Sequence, residues 1–124
     1  MRENFRQELK DLKAEVLLIG RLVVDQTTMG VKALIEADLE LAEVVIAADD
    51  DIDRRTLAVE EHSLEVIATQ FPVARDLRLL HSLTYISMHL ERMGDLALNI
   101  AKAARRTAGR RGPRRASPRA PLDD

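Results

Sequence analysis

Apolar residues recur along the first third of the chain at alternating intervals of three and four. This spacing places one continuous apolar stripe on a long helix, and it predicts a first helix over residues 3–36. Starting at Phe5, the stripe comprises Leu9, Leu12, Val16, Ile19, Val23, Met29 and Ala33.

Two further stripes follow, each introduced by a residue suited to a helix start. Asp38 can cap a second helix, because its carboxylate can accept a hydrogen bond from a free backbone N–H of the first turn. Pro72 cannot continue a helix but suits the beginning of one, and it predicts a turn there. The second stripe ends near Gln70 and comprises Ala42, Val45, Ile52, Val59 and Val66. The third runs from about residue 73 to about residue 105 and comprises Leu77, Leu80, Leu83, Ile86, Leu90, Ala97 and Ile100.

The spacing of these three stripes predicts the fold class, all-α. Helices of about 30 residues are about 45 Å long, and links this short require neighbouring helices to be antiparallel. We therefore predict a long antiparallel three-helix bundle over residues 1–105. Residues 106–124 are rich in arginine and proline and lack apolar periodicity, which predicts a disordered basic tail.

The composition limits which compartment and which class of partner are compatible with the chain. The chain has no cysteine, which excludes disulfides and thiolate chemistry. It has no apolar run long enough to span a membrane and no apolar signal segment at its start, so we expect a cytoplasmic protein. The arginine pairs of the tail can attract nucleic acid or an anionic membrane surface. No aromatic residue lies between them to stack on bases, which favours a solvated tail and no nucleic-acid partner.

Two pairs of carboxylates carry the candidate chemistry, Asp49 with Asp53 and Glu91 with Asp95. Each pair is spaced i, i+4 and lies on one helix face, where like charges repel. If the second and third helices fold back about Pro72, residues whose numbers sum to about 144 lie at one height of the bundle. The four carboxylates then meet, an arrangement that favours a bound hard cation such as Mg, Mn or Fe. Solvated acidic helix faces are the alternative interpretation.

The sequence gives less support to an enzymatic function than to a cation-binding site without catalysis. His62, His81 and His89 do not align with the acidic pairs, and no glutamate has a histidine three positions later, as a ferritin-like di-iron site requires. No Gly-rich phosphate loop or serine–histidine–aspartate set is evident. We therefore expect a non-enzyme, and a metal-dependent hydrolase or oxidase built on the carboxylates remains the alternative.

Three segments, AADDDID, QFPVARDLRLL and LERMGDLALNIA, closely resemble motifs of the PhoU family. The resemblance covers roughly residues 1–105, which correspond to one repeat of the family. It implies a three-helix bundle that is normally present twice in tandem. It also implies that Asp49, Asp53, Glu91 and Asp95 are the positions at which some members gather metal ions.

The same resemblance implies a regulatory role. Members of the PhoU family act in the cytosol as negative regulators of the phosphate-starvation response. Their partners are the ATPase of the phosphate-specific ABC transporter and a sensor histidine kinase. Because only one repeat is present here, a broad apolar outer face would be left uncovered, and we predict a homodimer in which a second chain replaces the missing repeat.

Overall fold

Three long helices make up the whole of the described structure. The computed structural model describes residues 2–111, with helix α1 at Arg2–Glu36, α2 at Leu39–Gln70 and α3 at Ala74–Arg111. Each helix packs against both others, and the predicted all-α three-helix bundle is confirmed. Within residues 2–111, none of the helices combines the length and hydropathy that a bilayer-spanning segment needs.

Short links with left-handed backbone residues reverse the chain twice. Ala37 ends the first helix with φ 53°, and Asp38 then caps α2 by accepting a hydrogen bond from the Leu41 N–H at 3.1 Å. Phe71 ends α2 with φ 47°, directly before Pro72. Both predicted turns are confirmed, and they make α1 and α3 parallel to each other and antiparallel to α2.

The core is a seam along each helix, with buried positions that alternate by three and four. Most predicted core residues are buried, but the seam differs from prediction in two places. Gln26 and Gly30 continue it on α1 in place of Met29, which is only partly buried. On α3, Leu77 and Ile86 are 40% and 47% exposed. The buried hydrophobic residues along the described part of the seam are Phe5, Leu12, Val16, Ile19, Val23, Ala33, Ala42, Val45, Ile52, Val59, Val66, Leu80, Leu83, Ala97, Ala101, Ala104 and Ala108.

The end of α3 also differs from the predicted domain boundary. The helix continues through residues 106–111, which the sequence assigned to the disordered tail. Ala104 and Ala108 are 0% and 6% exposed, so alanines extend the seam beyond the last large aliphatic residue. Small side chains give a weak periodic signal, which is why the boundary was set too early. Residues 112–124 of the predicted tail lie outside the described residues.

Candidate metal site

Polar residues interrupt the buried seam of α2 at every seventh position. Asp49, Thr56 and Ser63 all lie in this seam, and each is less than 7% exposed. Asp49 has the highest cost of the three, because a buried carboxylate is unfavourable unless it is hydrogen-bonded or paired with a positive charge. Its surroundings therefore decide what the site can do.

A glutamine from α1 supplies the hydrogen bond to Asp49. Gln26 is 1% exposed, and its Nε2 donates to Asp49 Oδ1 at 3.0 Å. Its Oε1 has no hydrogen-bond partner among the described residues. Gln26 was not among the predicted site residues, although it continues the three-and-four spacing after Val23. A polar residue inside an apolar stripe was the available signal.

Three of the four predicted carboxylates converge. Asp49, Asp53 and Asp95 each offer an oxygen, and these oxygens lie within 4.8 Å of one another. Asp49 is buried, Asp53 is partly buried and Asp95 is exposed, so the cluster runs from the core to the surface. The expectation that the pairs meet at one height holds for these three residues.

Glu91 lies at the edge of the cluster. It is not one of the three residues whose oxygens converge, but it borders a groove that also includes Asp53, Glu60 and Ser87. Its charge contributes to the raised pKa of Asp53, which places it within electrostatic reach. Glu91 therefore affects the cluster through its negative charge and does not contribute one of the converging oxygens.

The negative charge of the cluster changes the pKa of Asp53. Burial, followed by the negative charges of Asp49, Glu91 and Asp95, raises the pKa of Asp53 from 3.8 to about 6. A carboxyl whose pKa is higher in the folded state stabilises the fold most below pH 4, and this contribution is lost as the pH rises through 6. At neutral pH the ionised cluster therefore opposes folding unless a positive charge compensates it.

Asp51, which lies beside the cluster but outside it, is compensated by two arginines. Asp51 pairs with Arg54 at 3.2 Å and with Arg55 at 2.9 Å, and the hydrogen bond from Arg55 lowers the pKa of Asp51. Within residues 2–111, no arginine, lysine or histidine forms a salt bridge with the cluster or with Glu91. The cluster is thus a concentration of negative charge that no basic side chain among the described residues pairs with.

All three histidines lie away from the cluster. His62 pairs with Glu8 of α1, while His81 and His89 flank the ring of Tyr85 on α3. The donors at the cluster are therefore oxygens alone, a set that suits Mg, Mn or oxidised iron better than zinc. The orphaned Gln26 oxygen and the uncompensated carboxylates fit a hard cation.

A family model described as the PhoU domain matches residues 16–104. The phosphate-specific transport system accessory protein PhoU homolog of Pseudomonas aeruginosa is 37% identical over 102 residues, which are 82% of this chain and 42% of that protein. Homolog 1 of the same accessory protein from Methanothermobacter thermautotrophicus is 35% identical over 120 residues, which are 97% of this chain and 52% of that protein. Both are named as accessory proteins, in agreement with the expected non-enzymatic role.

A solved structure shows the same architecture. The crystal structure of PhoU from Pseudomonas aeruginosa aligns with a TM-score of 0.82 and 36% sequence identity, over 86% of this chain and 51% of that one. The chain spans about half the length of the curated relatives it matches. The matched residues 16–104 include both acidic pairs and the glutamine that contacts Asp49.

Proposed function

The chain belongs to the PhoU family, and we propose that it is a non-catalytic accessory protein of a phosphate-specific transport system. The observation that supports this function is the match itself, which extends over all three helices and both acidic pairs. The bundle offers an oxygen-only acidic cluster in place of a nucleophile with an adjacent base.

The partners we propose are the ATPase of a phosphate ABC transporter and a sensor histidine kinase. The bundle acts on the cytosolic side, where it holds the kinase in its phosphate-replete output and so represses the phosphate-starvation response. The names of the relatives support the association with phosphate transport. The long, charged helix faces supply the surface for docking.

Co-purification tests these partners. We expect the tagged full-length chain, expressed in phosphate-replete cells, to retain the transporter ATPase and the kinase through washing, because docking of the bundle requires no reaction. The bound proteins are identified by mass spectrometry, with cells that carry an unrelated tagged helical bundle as the control. Retention of neither protein would contradict the proposed partners.

The acidic cluster is proposed as the regulatory part of this molecule, binding a divalent or trivalent cation. Asp49, Asp53 and Asp95 would hold the ion, with Glu91 at the edge. The supporting observations are the convergence of three oxygens within 4.8 Å and the raised pKa of Asp53. A cation bound there would link α2 to α3 and offset the repulsion between the carboxylates.

Added cation is expected to stabilise the purified protein. At a concentration of 100 times its dissociation constant, a ligand that binds only the folded state contributes about 2.7 kcal/mol, or roughly 10 °C in the melting temperature of a domain of this size. The double variant Glu91→Gln, Asp95→Asn should lose this shift, because it removes one converging carboxylate and the charge at the edge. Thermal unfolding at neutral pH with Mg²⁺, Mn²⁺ or iron measures it.

A matched control distinguishes cation binding at the cluster from cation binding to any exposed pair of acidic residues. Glu61 and Glu65 have the same i, i+4 spacing and are both exposed on α2, so Glu61→Gln, Glu65→Gln should keep the full cation shift. Protons should compete with the cation, so the shift should shrink at pH 5, where Asp53 is protonated in the folded protein. A wild-type melting temperature that ignores all three metals would rule out the cation site.

Self-association is the last element of the proposal. An exposed apolar surface, here called the α1/α3 strip, consists of Leu17, Val24 and Val31 on α1 and Ile86 and Met93 on α3. The members on each helix are seven residues apart, so they share one helix face.

The two rows of the α1/α3 strip lie side by side. A Cβ at Gly30 would lie 3.7 Å from Ile100 Cγ2, and Ile100 continues the row of Met93 by seven residues. On α1, a Cβ at Gly20 would lie 3.9 Å from Leu90 Cδ1 of α3, and Leu17 and Val24 lie three residues before and four residues after Gly20, on the same side of the helix. Both rows therefore border the same groove.

A second copy of this chain is the proposed occupant of the strip. The relatives are about twice as long as the matched region, and a second copy of this chain would place a segment of similar size against the strip. An apolar strip that extends along two helices is larger than the scattered exposed residues of a typical monomer. A two-fold dimer would bury the strip of each chain against the other.

A further inference from the structure

The amide oxygen of Gln26 is one of three buried side-chain oxygens without a hydrogen-bond partner among the described residues. Gln26 follows Val23 and precedes Ala33 in the α1 seam, and both of these neighbours are 0% exposed. Its Nε2 is used by Asp49, but its Oε1 has no partner among the described residues. A buried carbonyl oxygen without a donor or a cation is unfavourable, so the arrangement points to a ligand.

Gly94 of α3 leaves space in front of this oxygen. A Cβ at position 94 would lie 3.2 Å from Gln26 Oε1 and 3.8 Å from Asp49 Oδ1. Glycine weakens a helix relative to alanine, and here it keeps the α3 backbone clear of two oxygens that come from the other two helices. The space adjoins the carboxylate cluster, because Asp49 belongs to both.

We propose that Gln26 Oε1 is an oxygen ligand of the cation site, so that the site takes donors from all three helices. Gln26 contributes from α1, Asp49 and Asp53 from α2, and Asp95 from α3. This inference rests on the proposed cation site and adds to it a residue outside the acidic pairs. An uncharged oxygen increases the number of donors without adding to the repulsion between the carboxylates, as amide carbonyls do in calcium and magnesium sites.

Two roles of Gln26 predict opposite results for one substitution. If Gln26 only donates a hydrogen bond to Asp49, Gln26→Leu frees Asp49 Oδ1 and leaves the affinity for the cation unchanged or higher. If Gln26 Oε1 is also a ligand, Gln26→Leu removes an oxygen donor to the ion. The affinity for Mn²⁺ and the cation-induced rise in melting temperature are then smaller than those of the wild type.

Gly94→Ala tests the same proposal without changing a charge. The added methyl group would lie 3.2 Å from Gln26 Oε1 and would crowd that oxygen, so we expect the affinity for Mn²⁺ to fall by roughly tenfold or more. Gly109→Ala is the matched control, because a Cβ at Gly109 would have no heavy atom within 4 Å. That variant should bind Mn²⁺ as the wild type does.

The experiment is a calorimetric titration of Mn²⁺ into the four full-length proteins at neutral pH, with melting curves alongside. Weaker binding and a smaller cation-induced shift in both Gly94→Ala and Gln26→Leu support the proposal. Wild-type affinity in Gly94→Ala, or wild-type or higher affinity in Gln26→Leu, overturns it and leaves the carboxylate site standing. A wild-type protein that does not bind Mn²⁺ overturns both the carboxylate site and the role of Gln26.

Discussion

Replacing Val24 and Met93 by glutamate is expected to abolish the proposed dimer and leave a monomer. The two side chains are 61% and 50% exposed in the single chain, so the substitutions should leave the bundle core intact. In the proposed dimer they are buried, and each chain would bring two carboxylates into an apolar contact, which is strongly unfavourable. Sedimentation at tens of micromolar, a range in which weak dimers form, should show a dimer for the wild type and a monomer for the variant.

Two exposed apolar residues outside the strip provide the matched control. Val44 and Leu64 of α2 are 55% and 63% exposed, and neither lies on α1 or α3. Val44→Glu, Leu64→Glu should therefore remain dimeric. A monomeric wild type would contradict self-association, and a monomeric control would place the contact on a different face.

The fold followed from the sequence because its determinants are local and repetitive. The three-and-four spacing, the Asp38 cap and the turn before Pro72 each depend on a few neighbouring residues. The errors fell where the seam is built from residues other than large aliphatics. Gly30 and Ala108 carry little hydrophobic signal, yet both are buried, because small residues allow helices to approach closely.

The acidic cluster was predicted from two pieces of sequence information, the spacing within each pair and the common height of the pairs about the turn. Antiparallel geometry converts these into proximity, and it brought Asp49, Asp53 and Asp95 together. Whether Glu91 or Asp95 lies nearer to Asp49 and Asp53 depends on the rotation of α3 about its axis. The helical period alone does not determine that rotation. The position of Gln26 depends on how α1 sits against α2, and no local motif reports that contact.

These two features, the acidic cluster and the α1/α3 strip, lie on different sides of the bundle. The groove beside Asp53 and Glu91 is formed by α2 and α3, whereas the strip is formed by α1 and α3. A dimer through the strip would therefore leave both cation sites accessible. This separation allows self-association and cation binding to be disrupted independently.

The phosphate-starvation response of cells that lack this chain tests the central claim most directly. We expect a starvation-induced phosphatase reporter to rise in phosphate-replete medium to the level of starved cells, because the kinase loses its repressing partner. The wild-type gene should restore repression, and so should the control variant Glu61→Gln, Glu65→Gln. An Asp49→Asn, Asp95→Asn variant that accumulates normally should restore little of it.

The reporter level in the deletion strain decides between the outcomes. A high level in phosphate-replete medium that returns to the basal value with the wild-type gene is the result predicted for a negative regulator of phosphate uptake. A level that stays basal after deletion, under replete conditions in which the wild-type chain is expressed, would contradict the proposed function.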